Sequence, residues 1–167
     1  MKNNKGFTLI ELLAVIVILG VLMIIAIPMV SRYIKEARQN AFIDTAKSYV
    51  QSARYAYLNG DYYQAEATNG NCAVLDAGAG TVYIRFKYID VDKTGGNSSF
   101  GKPIDTENSY VKITSDANGK YSYFVFMRDD ASNGFQEKAE DALVKGDVKS
   151  GIDASKSSIS AAAACKK

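Results

Sequence analysis

The 167-residue chain has no histidine, no tryptophan, two cysteines and two prolines. Without histidine there is no Ser-His-Asp triad and no Cys–His nucleophile, and two cysteines fall short of the usual zinc sets. An enzyme built from this chain would depend on carboxylates, lysines or tyrosines. The sequence spells out no convergent set of these, so the expectation is a non-enzymatic protein with no cofactor and no metal. A strong charge of either sign is missing too. Formal net charge is +2, and losing Lys2 and Lys5 with a short leader would bring it to about zero. No basic field therefore favours nucleic acid as a partner. The 11 tyrosines suit an exposed, β-rich surface.

What the chain does have is a concentrated apolar block. Hydrophobic residues make up 47% of it and charged residues 23%, enough for one folded domain with an appendage. From Phe7 to Val30 every residue is apolar or small except Thr8 and Glu11. At ~1.5 Å per residue, about 24 helical residues span roughly 36 Å, which crosses a bilayer with some tilt. A cleaved secretory signal would be shorter and followed by a small-x-small site, and Pro28 spoils the best such site here. Lys2 and Lys5 precede the span while Arg32, Lys35 and Arg38 follow it, so the distribution of positive charge leaves its orientation open. A carboxylate inside a membrane helix costs about 2.5–3.5 kcal/mol on insertion scales, so Glu11 is expected to be there for a function. The competing reading is that Glu11, about one turn inside the run, stays solvated at the interface.

Helical periodicity continues beyond Val30. Ile34, Ala37, Ala41, Tyr49 and Ala53 recur at three- or four-residue steps or their multiples, with Arg32, Lys35, Glu36, Lys47 and Gln51 largely off that stripe. The pattern predicts one helix over about 7–58, its N-terminal half transmembrane, stopped by Asn59-Gly60. Pro28 should kink or weaken it, and Gly20 is a second soft point. Residues 59 to 80 read as a connecting loop. Val82, Ile84 and Phe86 then alternate with Tyr83, Arg85 and Lys87 as a strand, followed by strands at Tyr110–Thr114 and Tyr121–Arg128. Asp116-Ala117-Asn118-Gly119 is a hairpin signal between the last two. Phe135–Val144 reads as a short helix and the tail from Lys145 as partly helical or loosely ordered. The fold class expected is α+β, with the long helix packed on a small antiparallel sheet.

Three further features carry candidate chemistry. Gly96-Asn97-Ser98-Ser99-Phe100-Gly101-Lys102 matches the start of a phosphate-binding loop, but Pro103 replaces the Ser or Thr that would bind magnesium and no helix follows. Asp90, Asp92, Thr94 and Gly95 imitate the opening of a calcium loop, but Gly101 stands where the closing glutamate belongs. Cys72 and Cys165 would, if paired in an exported domain, close a loop worth up to about 4.7 kcal/mol. The sequence offers no distance that decides between pairing and two free thiols.

The N-terminus combines a short basic leader ending in glycine, Met1-Lys2-Asn3-Asn4-Lys5-Gly6, with Phe7-Thr8-Leu9-Ile10-Glu11 and an unbroken apolar helix. This resembles the class III signal of type IV prepilins and of the pseudopilins of secretion and DNA-uptake systems. The resemblance implies a leader over 1–6, a polymerisation helix over 7–30 and an extracellular domain over 31–167. A membrane prepilin peptidase would cut between Gly6 and Phe7 and methylate the new Phe7 amine. Glu11 would then receive the Phe7 amine of a neighbouring subunit, assisted by the Thr8 hydroxyl, and Gly20 and Pro28 would mark the helix stretch that can extend or melt. It further implies storage as a single-pass protein of the cytoplasmic membrane with its C-terminal domain outside. An assembly ATPase and platform would then extract it into a helical homo-oligomer at the cell surface. Such filaments serve adhesion, surface motility, biofilm formation or DNA uptake, and a major pilin of clostridial Gram-positive type fits the length. The alternatives are a pseudopilin of a type II secretion or competence system, and a monomeric membrane-anchored binding domain.

Overall fold

The computed structural model describes residues 6–59, 62–63, 81–89, 96–116, 118–156 and 165–166. One helix, α1, runs over Leu9–Leu58 without a break at Gly20 or Pro28. The chain divides into two compact units, one up to Ala37 and the other from Arg38 onward.

In the first unit α1 is apolar on every side over 12–30, and each of its large hydrophobic side chains from Leu9 to Ile34 is exposed. A helix hydrophobic all round has no use for a one-sided globular core; it requires lipid or partner helices. It is the one helix among the described residues long and apolar enough to cross a membrane.

In the second unit, α1 is amphipathic. Phe42, Ile43, Ala46, Tyr49, Val50 and Ala53 are buried at helical spacing, while Asp44, Lys47, Ser48 and Gln51 stay in solvent. The expected stripe is right at Tyr49 and Ala53, but Ile34, Ala37 and Ala41 are exposed. The packed face turns on Phe42, Ile43 and Val50, whose greater apolar area outweighs alanine spacing.

The sheet that receives this face has four antiparallel strands in the order β2-β3-β4-β5: β2 is Thr81–Arg85, β3 Tyr110–Ser115, β4 Tyr121–Arg128 and β5 Gly134–Ala139. A separate two-residue pair joins β1, Tyr62–Tyr63, to β6, Cys165–Lys166. Strand alternation sends Val82, Ile84, Val111, Ile113, Val125 and Met127 into one core with the helix residues. Tyr49 stacks on Phe86 with ring centroids 3.8 Å apart, and Phe42 meets Phe135 edge-on at 6.0 Å. Between β3 and β4, Asp116 N–H donates to Lys120 O, Gly119 N–H donates to Asp116 O, and Gly119 takes φ 77°. This is a three-residue hairpin with glycine at its left-handed position, as the Asn-Gly signal predicts.

The expected helix over Phe135–Val144 is a strand instead. β5 pairs with the edge of β4, and only Glu140–Ala142 is helical, as a single 3-10 turn. A register shift between Val125 and Met127 accommodates the pairing, and Gly134 passes so close to β4 that a Cβ there would strike the Met127 carbonyl. Over 145–156 the chain makes two 3-10 turns, Lys145–Asp147 and Ala154–Lys156, and most of the tail beyond lies outside the described residues. It carries Ile152 onto Tyr110 and Phe126 on the sheet's other face, where Arg128 Nη1 donates to Ile152 O at 3.2 Å.

Candidate functional site

Thr8 stands immediately before the first helical residue, Leu9. Its carbonyl accepts the first intrahelical bond, from Leu12 N–H at 3.2 Å. Its backbone N–H and its hydroxyl both donate to Glu11 Oε2, each at 2.8 Å, and Glu11 N–H donates back to Thr8 Oγ1 at 3.4 Å. This reciprocal exchange is a capping box, which satisfies donors that a helix start otherwise leaves open. The Thr-x-x-Glu spacing is the sequence signal of this cap, which gives Thr8 a more direct role than that of a nearby hydroxyl. Among the described residues, both bonds fall on the same carboxylate oxygen and no cation pairs with Glu11. The carboxylate is thus oriented by its own helix start, and no described cation neutralises it.

Around this cap the surroundings are open. Phe7 is 93% exposed, and nothing lies within 4 Å of where a Cβ on Gly6 would stand. No fold contact requires glycine at position 6, and none shields the Gly6–Phe7 bond among the described residues. Gly20 also has open space about it, so its lack of a side chain answers to no packing demand within the chain. Pro28 lies inside α1, where its missing N–H leaves the Ile24 carbonyl without its usual donor.

The other sequence candidates fare differently. The phosphate-loop look-alike is folded onto itself. Ser98 N–H donates to Lys102 O at 2.6 Å, Gly101 N–H to Ser98 O at 2.9 Å and Ile104 N–H to Gly96 O at 2.6 Å. With Phe100 N–H taken by Ser98 Oγ at 3.2 Å, these amides are engaged within the loop instead of facing a phosphate. The calcium-loop candidates Asp90, Asp92, Thr94 and Gly95 lie outside the described residues, as do Cys72 and the side chain of Cys165. Among the described residues no group of three or more His, Cys, Asp or Glu side chains could hold a metal.

Several charged side chains form pairs that brace the second unit. Arg128 Nε meets Asp105 Oδ2 at 2.7 Å, Lys112 meets Glu137 at 2.9 Å, and Lys138 meets Asp147 at 2.7 Å. Burial acts to raise the Asp105 carboxyl, but hydrogen bonds from Asn108 and Arg128 outweigh it and hold the group below its ordinary range. The Lys138 ammonium does the same for Asp147, helped by the Val144 amide. Arg54 pairs with Glu140 and lies 4.2 Å over the Tyr123 ring, tying the end of α1 to β4 and the turn after β5. These contacts stabilise; none assembles a nucleophile with a base.

No curated protein and no solved structure matches the chain. Residues 1–27 match the prokaryotic N-terminal methylation motif, the class III signal of type IV pilins, and this match supports a type IV pilin- or pseudopilin-like prepilin-peptidase substrate.

Proposed function

We propose that this protein is the structural subunit of a type IV pilus. Prepilin peptidase removes residues 1–6 by cutting between Gly6 and Phe7, then methylates the Phe7 amine. The subunit waits in the cytoplasmic membrane through the helix over 7–30, with residues 31–167 outside. Assembly ATPase and platform machinery draw it into a helical homo-oligomer on the cell surface, for adhesion, surface motility, biofilm formation or DNA uptake.

The observation that carries this reading is a helix apolar on all sides over 12–30 whose first turn holds one oriented carboxylate that no described cation pairs. Cleavage creates a cation at Phe7, and methylation leaves it charged. In an apolar filament core that cation and the Glu11 anion would each be stranded alone. Paired between neighbours they neutralise each other, and losing one partner of a buried pair costs about 3–5 kcal/mol. The pair would fix the stagger of adjacent helices as much as their affinity. Thr8 supports it by fixing the carboxylate's rotamer before the neighbour arrives.

Mass spectrometry of surface-sheared material is the decisive experiment. Abundant filaments whose subunits begin at methylated Phe7 are expected. Correctly processed protein retained in the envelope would replace this reading with a pseudopilin, and functional protein that keeps Met1–Gly6 would end both.

A further inference from the structure

Four Asn-Gly pairs occur in the chain, and two of them, Asn118-Gly119 and Asn133-Gly134, lie wholly among the described residues. Asparagine before glycine is chemically labile. The glycine nitrogen can close a five-membered ring onto the asparagine side-chain carbonyl carbon, and with no Cβ the glycine does not hinder that approach. Residue order ranks the two pairs alike. The fold does not.

Asn133-Gly134 is held on both sides of the bond that would form. The Asn133 side-chain amide donates to both Asp129 carboxylate oxygens, at 3.2 and 3.0 Å, and the Asn133 N–H donates to Asp129 Oδ1 at 2.9 Å. Gly134 N–H, the group that would attack, donates to the Lys149 carbonyl at 2.8 Å. Asp129 and Gly134 are buried, and a Cβ on Gly134 would strike the Met127 carbonyl, so the backbone there has no room to swing. Ring closure at this site requires a charge-assisted hydrogen bond and a sheet-edge bond to open together.

Asn118-Gly119 stands at the tip of the β3–β4 hairpin. Both residues are exposed, and nothing lies within 4 Å of where a Cβ on Gly119 would stand. The turn holds them by their backbone: Asn118 N–H donates to Asp116 Oδ1 at 2.9 Å, and Gly119 N–H donates to the Asp116 carbonyl at 3.0 Å. Freeing the Gly119 nitrogen takes the opening of that one exposed turn bond, and such bonds lie at the low end of a protein's local stability.

We propose that Asn118 is a site of spontaneous deamidation, with water as the only co-reactant. The Gly119 nitrogen attacks Asn118 Cγ. The new N–Cγ bond forms, the amide proton passes to solvent, and the Cγ–Nδ2 bond breaks with loss of ammonia. Water then opens the cyclic imide at either carbonyl, leaving aspartate or isoaspartate at position 118. The aspartate product sets a second carboxylate two residues from Asp116. The isoaspartate product also lengthens the main chain by one methylene before Gly119 and Lys120, whose amides both bond Asp116 in the present turn. Hairpin charge and hairpin geometry thus change as the protein ages, whatever the chain assembles into.

The test is ageing of the folded full chain in detergent micelles, in mildly alkaline buffer made with heavy-oxygen water, followed by peptide mass mapping. Each event adds one solvent oxygen to the peptide concerned. Each net hydrogen bond that must open lowers the reactive population by roughly fivefold, and by more when the acceptor is charged. Asn118 should therefore convert at least about tenfold faster than Asn133 in the folded chain. In chain unfolded by urea the two rates should converge, because both are then plain Asn-Gly pairs. Asn118→Gln keeps a neutral amide but closes the ring poorly, and should leave the hairpin peptide unlabelled. Equal rates in the folded chain would overturn the proposal, as would a hairpin peptide that stays unlabelled when folded yet labels when unfolded. So would a gap that persists in urea, which would trace it to neighbouring residues and not to the fold. Label remaining in the Asn118→Gln hairpin peptide would also sink it, by placing the chemistry at another residue.

Discussion

Glu11 caps α1 in this structure, the proposed function gives it a second task in assembly, and one substitution distinguishes the two. As a cap, Glu11 needs only an acceptor oxygen for the Thr8 N–H and hydroxyl. As an assembly residue, it needs a negative charge for the neighbour's Phe7 amine. Glu11→Gln keeps an amide oxygen of the same length and shape, so the cap survives and the charge does not. Capping interactions contribute about 0.5–2 kcal/mol, and most of that should remain. The buried pair is worth more to the assembled state, because stripping one partner costs about 3–5 kcal/mol. By the usual conversion this is roughly two to three and a half orders of magnitude in subunit association. The assay is paired: helical content and membrane insertion of purified subunit, and subunit recovered in sheared filaments. Glu11→Gln should match wild type in the first and show almost no filament in the second. Glu11→Val should lose the cap as well and fray the first turn. Filament yield near wild type for Glu11→Gln would refute the charge-pair reasoning, because hydrogen bonding alone would then suffice.

Other consequences follow from the packed half. Phe42→Ala removes a fully buried ring touching Phe100 and Phe135, and should destabilise the domain by about 3–5 kcal/mol in chemical denaturation of the full chain in micelles. A loss below about 1 kcal/mol would mean that the site repacks. Gly134→Ala should cost about 1–3 kcal/mol in the same assay, because its methyl meets the Met127 carbonyl and the Arg128 Cα at 2.7 Å; wild-type stability would contradict this β4–β5 geometry. The carboxyls of Asp105 and Asp147 are held below their ordinary range in the fold, so they bind protons more readily once it unfolds. Their contribution is fully present above an unfolded value of about 3.9 and disappears as pH falls through the lower folded values. Acid titration followed by near-ultraviolet circular dichroism should show stability declining below about pH 4, and Asp105→Asn should flatten the decline.

Much of this architecture was legible in residue order because its causes are local. The apolar run from Phe7 to Val30 contains its own membrane-length helix, and no distant contact is needed to specify it. Thr8 and Glu11 sit three residues apart, so their cap is local too and is legible in the Thr-x-x-Glu spacing. The hairpin at Asp116–Lys120 is determined by a glycine that can take positive φ where other residues strain.

Tertiary structure decided the rest. Phe135–Val144 has a pattern that a helix could use, but the open edge of β4 offered backbone partners, and pairing there overrode local preference. The glycine loop at Gly96–Ile104 spells most of a phosphate cradle, and only its fold reveals that its amides turn inward and its tip grips α1. The same holds for which stripe of the second helical half is buried. Periodicity locates a face to within a turn, whereas the aromatic rings of Phe86, Phe100 and Phe135 select Phe42 and Tyr49 to lie against them. Residue order thus determined how the chain enters a membrane and begins its helix. How that helix is held in the domain was settled by groups far along the chain, the Ser99 hydroxyl 61 positions from Arg38 and the Val148 carbonyl 109 positions from Gln39.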